Sequence, residues 1–127
     1  MDRHTQSRLK KDLVVWFVTA GKDGRPHAVP VWFWWDGKTF LIYARPGQKA
    51  RNVRENPYVE LHLNSDPVGD DLVRVEGRAT VLRNRPADRS TGYMRKYGQS
   101  IRDLGMTPKV FAEEYDVPIR IRPTKFH

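Results

Sequence analysis

Phe40-Leu41-Ile42-Tyr43-Ala44-Arg45-Pro46-Gly47-Gln48-Lys49-Ala50-Arg51-Asn52-Val53-Arg54-Glu55-Asn56-Pro57 passes from an unbroken apolar run into a basic segment that opens on Pro-Gly. The apolar run reads as a strand. The basic segment reads as a helix beginning at Pro46-Gly47-Gln48 and stopped near Asn56-Pro57. Proline suits a first helical position, because its missing N–H would have no partner there. Such a helix aims free backbone N–H groups at whatever lies off the strand end, and Arg45 and Lys49 add positive charge at the same place. Helix N-termini favour phosphate for these combined reasons. The segment is read as a phosphate grip, with Ala50 and Val53 turned to the protein body and Gln48, Arg51, Asn52 and Glu55 turned outward.

Working outward, both flanks read as strands. Leu13 to Thr19 is rich in β-branched and aromatic residues. Lys22-Asp23-Gly24-Arg25 supplies a hairpin turn, and Pro26 to Trp35 returns. A second Asp-Gly turn, Asp36-Gly37, leads to residues 38–44, so the first three strands are expected to form an antiparallel meander. Tyr58 to Asn64 alternates cleanly, and Leu72 to Leu82 alternates Val73, Val75, Ala79 and Val81 against Arg74, Glu76, Arg78 and Thr80. Gly77 marks a bulge. Residues 3–11 form a short helix or arm, and 86–103 a longer helix. Thr107-Pro108 caps and opens a short helix through Tyr115, and Val117 to Arg122 is the last strand. Six strands with few, short helices predict a small antiparallel barrel in one domain.

Composition limits the chemistry. The chain has 127 residues, no cysteine, and 23 Lys and Arg against 15 Asp and Glu, a net charge of +8. Disulfides, thiolate nucleophiles and cysteine-based zinc sites are excluded. No apolar stretch approaches the ~20 residues a membrane span needs, and the N-terminus lacks an apolar leader. A soluble cytoplasmic protein is expected. The positive charge is either solubility charge or an attraction for nucleic acid, anionic lipid or a ligand with several phosphates or carboxylates.

Few residues compete for a catalytic role. His27 and His62 each stand alone on a strand, without a second ligand at metal spacing. Asp70-Asp71 and Glu113-Glu114 are adjacent, so their members point apart. No self-sufficient catalytic constellation is found, so catalysis would need a cofactor. Pro30 cannot donate to a ladder, which places it on an edge, at a bulge or beside a gap. A gap there can admit a flat ring. Trp32-Phe33-Trp34-Trp35 puts aromatics on both faces, and the second face needs a helix, a subunit or a ligand to cover it. Basic residues with aromatics on a small barrel also describe nucleic-acid binders. Here the aromatics cluster while the cations spread, which argues against that alternative.

Three stretches carry a resemblance: Thr19 to Phe33, with Asp23-Gly24-Arg25-Pro26-His27 and Pro30-Val31-Trp32-Phe33; Lys49-Ala50-Arg51-Asn52-Val53-Arg54-Glu55-Asn56-Pro57; and Val73-Arg74-Val75-Glu76-Gly77-Arg78-Ala79. Together they resemble the split β-barrel flavin and deazaflavin oxidoreductases of the pyridoxamine 5′-phosphate oxidase superfamily. The ending, Leu104 to Pro108, Phe111 to Tyr115 and Ile119 to Lys125, is similar to an actinobacterial subgroup that uses coenzyme F420. The resemblance implies a mainly β, six-stranded antiparallel split barrel of the FMN-binding kind over residues 1–127. It also implies a homodimer with the cofactor at the subunit junction, and hydride transfer from the reduced deazaflavin to a small conjugated acceptor. The phosphate would lie at Arg45, Gln48, Lys49 and Arg51, with Asn52 shaping the turn. The ring would lie along Val29, Pro30, Val31 and Trp32, with Tyr43 and Ala44 beneath. FMN in the same place, or a non-catalytic cofactor carrier, is the alternative.

Overall fold

A computed structural model describes all residues, 1–127. In chain order the elements are α1 (Arg3–Lys11), β1 (Val15–Ala20), β2 (Pro26–Val31), β3 (Trp34–Trp35), β4 (Phe40–Ala44), α2 (Gln48–Glu55), β5 (Tyr58–His62), β6 (Arg74–Val81), a 3₁₀ turn (Ala87–Arg89), α3 (Thr91–Asp103), α4 (Pro108–Glu114) and β7 (Val117–Phe126). The strands form one antiparallel sheet in the order β2-β1-β5-β6-β7-β4-β3. It curls into a split barrel. The expected fold class therefore stands, with seven strands rather than six.

The seventh strand comes from a break in the Pro26 to Trp35 run, and the expected meander fails at the same point. β2 pairs with β1, whereas β3 pairs with β4, and the second neighbour of β4 is β7. Between them Trp32 and Phe33 leave the ladder. The Phe33 backbone is satisfied by side chains of α3 instead. The Phe33 N–H donates to the Tyr97 hydroxyl at 2.9 Å, and the Phe33 carbonyl accepts from Lys96 Nζ at 2.9 Å. The Tyr97 hydroxyl donates its single proton toward the Leu13 carbonyl at 2.7 Å, with the Phe33 carbonyl as the other acceptor at 2.9 Å. A strand can end in the interior only where such partners replace the ladder.

Two apolar clusters follow from strand alternation. The barrel interior holds Phe17, Phe33, Trp35, Phe40, Ile42, Leu61, Val75, Ile119 and Ile121, among others, closed by Leu9 of α1 and by Ala50 and Val53 of α2. Outside the barrel, Leu41 and Tyr43 of β4 pack with Tyr93, Tyr97 and Ile101 of α3 and Phe111 and Ala112 of α4. β4 is thus buried on both faces, which is why its sequence shows no alternation. The aromatic run splits in the same way: Phe33 and Trp35 enter the barrel, while Trp32 and Trp34 pack against the helices.

The bulge at Gly77 is present. Glu76 faces Lys125 and Gly77 faces Pro123, so the extra residue is Thr124 on β7. A Cβ at Gly77 would stand 2.7 Å from Ile121 Cγ2 and 2.9 Å from the Arg122 carbonyl, so only glycine permits this approach.

Candidate functional site

Where β4 gives way to α2, the expected grip differs in one detail. α2 begins at Gln48, not Pro46, and its N-cap is Gly47, whose missing side chain leaves the cap without a hydrogen bond. The first intrahelical bond runs from the Arg51 N–H to the Gly47 carbonyl at 3.1 Å. The N–H groups of the preceding turn therefore have no helical partner. Proline at 46 pre-orders the approach to the cap rather than filling the first helical position.

Asn52 does not face outward as expected. It is fully buried. Its Nδ2 donates to Thr19 Oγ1 at 3.1 Å, and its Oδ1 accepts from Gln48 Nε2 at 2.7 Å. A Cβ on Gly21 would come 2.7 Å from that Oδ1. The Asn52 side chain is therefore a strut that fixes α2 against the end of β1, and its polar atoms are spent inside the protein.

A cleft of 450 Å³ opens beside this helix start. Pro30, Val31, Trp32, Tyr43, Ala44, Arg45 and Lys49 line it. Those are seven of the eleven residues the sequence assigns to a cofactor. Val29, Gln48 and Arg51 stand outside its lining: Val29 is half-buried on β2, and Arg51 donates to Gln48 Oε1 at 3.0 Å on the helix surface. The far wall consists of Tyr93, Leu104, Met106, Phe111 and Tyr115, none of which sequence reasoning placed at the site. The signal was there in part, since Leu104 and Met106 are apolar residues in the break between two helices.

The cleft is walled by aromatic rings. Trp32 stacks on Tyr97 at 4.7 Å with ring planes 4° apart, and lies 5.9 Å from Phe111. Phe111 stacks on Tyr115 at 4.6 Å, and Tyr43 meets Tyr93 edge-on at 4.8 Å. Pro30 belongs to the edge strand β2, so the edge and the neighbouring gap are both realised at this one residue. At the cationic end, the Arg45 guanidinium lies 4.9 Å over the Tyr115 ring and 3.1 Å from Glu114. Lys49 makes no ion pair.

Burial raises the pKa of the Tyr43 phenol, and burial, reinforced by the neighbouring tyrosines, raises that of Tyr93 further. Both hydroxyls stay protonated through the physiological range. The Tyr43 hydroxyl is buried beside the Ser90 side chain, without a hydrogen bond of normal geometry. Burial also pulls the Lys96 ammonium down to about 8, although it sits 3.8 Å over the Phe33 ring. Lys96 lines a separate cavity with Trp34 and Trp35, away from this cleft. No helix is long and apolar enough to cross a membrane.

Comparison with solved structures finds the same fold. An F420 reductase is 23% identical over 100% of this chain and 98% of its own, with a TM-score of 0.76. A conserved hypothetical protein, Rv2991, of Mycobacterium tuberculosis is 23% identical over 99% of this chain and 82% of its own, at a TM-score of 0.75. A FAD-binding protein of Mesorhizobium loti is 20% identical over 97% and 87%, at a TM-score of 0.64. At these identities the likeness is one of fold. A search of curated proteins found no match. The family described as pyridoxamine 5′-phosphate oxidase matches residues 1–125. With nearly the whole chain covered and the split barrel in place, this protein belongs to the pyridoxamine 5′-phosphate oxidase family.

Proposed function

We propose that the chain is a deazaflavin-dependent oxidoreductase that uses coenzyme F420 and reduces a small conjugated acceptor. One observation carries this reading. An aromatic-walled cleft of 450 Å³ ends at an uncapped helix start flanked by Arg45 and Lys49. A planar ring system attached to a phosphate matches that sequence of surfaces. Membership of the family supports oxidoreductase chemistry, and the net charge of +8 favours a cofactor with a phosphodiester and an acidic tail over one with a single phosphate.

The deazaflavin would supply the hydride, a two-electron reductant, when bound. The chain's own part is binding, orientation and exclusion of water. Arg45, Lys49 and the first-turn amides of α2 would hold the phosphate, with Gln48 and Arg51 on the adjoining helix surface. Pro30, Val31 and Trp32 would flank the ring, with Tyr43 and Ala44 beneath it. Phe111, Tyr115 and Met106 line the opposite side. Burial makes the Tyr43 and Tyr93 phenols weaker acids than a free tyrosine, so orientation would supply much of the acceleration and solvent the proton that completes the reduction. A homodimer would complete the site at the subunit junction.

Fluorescence titration with the deazaflavin and with FMN tests the reading. Wild-type protein should bind the deazaflavin more tightly. Arg45→Ala with Lys49→Ala should weaken it by roughly a hundredfold, as expected for losing two charge-assisted contacts, with the circular dichroism spectrum unchanged. Tighter binding of FMN would transfer the site to that cofactor. Unchanged deazaflavin affinity in the double variant would overturn the phosphate placement.

A further inference from the structure

The outer face of β6 and β7 sets arginine against arginine. Arg78 and Arg122 are direct cross-strand partners, and the next outward pair on the same ladder is Thr80 with Arg120. Like charges placed opposite one another weaken a sheet, so this arrangement costs the free chain stability. No carboxylate lies within ion-pair distance of any of the three arginines to offset it. The carboxylates of the same face are engaged elsewhere, Glu60 with Arg74 at 3.4 Å and Glu76 with His127. Arg78 rests 5.2 Å over the Tyr58 ring, and the Nε of Arg120 is buried with no hydrogen-bond partner.

All three arginines line one cavity of 480 Å³, whose lining holds no aspartate or glutamate. A neighbouring groove shares Pro57 and Thr80 with it and adds Arg54 and Arg83. The cavity shares no lining residue with the Trp32 cleft. Three cations around one hollow, rather than along a stripe, select a compact ligand over an extended polymer. Planar forks match phosphate and carboxylate oxygens two at a time.

We propose that Arg78, Arg120 and Arg122 form a second anion site, which takes a compact small molecule carrying two or more phosphate or carboxylate groups. The site does not rest on the deazaflavin reading. The opposed charges are the unliganded state of a pocket whose repulsion a polyanion removes.

The test uses the full chain with inorganic pyrophosphate and with citrate as probes, by calorimetric titration and thermal melting. The Arg45→Ala with Lys49→Ala chain, whose cleft no longer competes for anions, should still bind one probe molecule. In that background Arg120→Gln with Arg122→Thr should weaken binding at least about tenfold. A preference for pyrophosphate assigns a phosphate ligand, and a preference for citrate a carboxylate one. Arg122→Thr alone should melt higher than wild type without ligand, and pyrophosphate should raise the wild-type melting temperature more than that of this variant. The proposal is overturned if neither probe binds saturably, or if the arginine variants keep full affinity. Loss of binding in the Arg45 and Lys49 variant, or tighter binding of a long oligonucleotide than of either probe, overturns it equally.

Discussion

Tyr97 shows how one side chain sets the shape of the candidate cleft. Its ring is fully buried, and burial raises its pKa far above the physiological range. Its hydroxyl therefore always carries its proton, accepting from the Phe33 N–H and donating to the Leu13 carbonyl or the Phe33 carbonyl. Its ring is also the surface on which Trp32 stacks. The oxygen holds the chain at the break between β2 and β3, and the ring orients the indole that walls the cleft. Tyr97→Phe keeps the ring and removes the oxygen, so it leaves a buried N–H without its acceptor. Such a loss costs about 1–3 kcal/mol. The expected result is a melting temperature lower by several degrees in differential scanning calorimetry, with the aromatic near-ultraviolet signal of Trp32 altered. A variant that melts at the wild-type temperature would show that the break between β2 and β3 does not depend on this hydroxyl.

At the scale of elements, the deciding contact is between β3 and α3. Gly92 lies in the first turn of α3, and a Cβ there would stand 2.0 Å from Trp34 Cζ2. No rotamer change at a methyl group can relieve this, so either Trp34 or the helix must shift. Overpacking of this kind costs about 1–3 kcal/mol, against the fraction of a kcal/mol that alanine gains over glycine by helix propensity in an exposed turn. Gly92→Ala is therefore expected to destabilise, read as a lower urea midpoint at unchanged slope. An increase in the midpoint would mean that Trp34 moves freely.

The same contact marks the limit of what the sequence reveals. Alternation alone places Val75, Ala79, Ile119 and Ile121 inside the barrel, and Thr107 does cap α4, accepting from the Val110 N–H at 3.1 Å. The strand-to-helix step at residues 40–57 and seven residues of the cleft were legible too. The break after Val31 was not, because its cause is a hydroxyl and an ammonium more than sixty residues away. For the same reason the helical wall of Tyr93, Phe111 and Tyr115 reads as an ordinary apolar face until α3 and α4 are seen folded over β4. Asn52 was misjudged because a polar residue on a helix is normally solvated, and only Thr19 at 3.1 Å shows that this one is not.

For the molecule as a whole, the open question is what covers β2. The sheet ends there, since β2 pairs with β1 alone. Four of its six residues, including Ala28 and Pro30, are exposed. An uncovered, weakly charged edge invites pairing with another chain, and the Pro30 that removes one donor from this strand also lines the cleft. In the proposed dimer both needs would be met at once: a second copy would cover the edge and complete the cofactor site. Two measurements then have to move together. Light scattering should give a mass of twice 14.8 kDa for the wild type. Ala28→Glu, which adds a charge on the exposed strand without touching the barrel core, should lower both that mass and the deazaflavin affinity. A monomeric variant that binds the cofactor as tightly as wild type would confine the site to one chain, and a monomeric wild type would remove the dimer altogether.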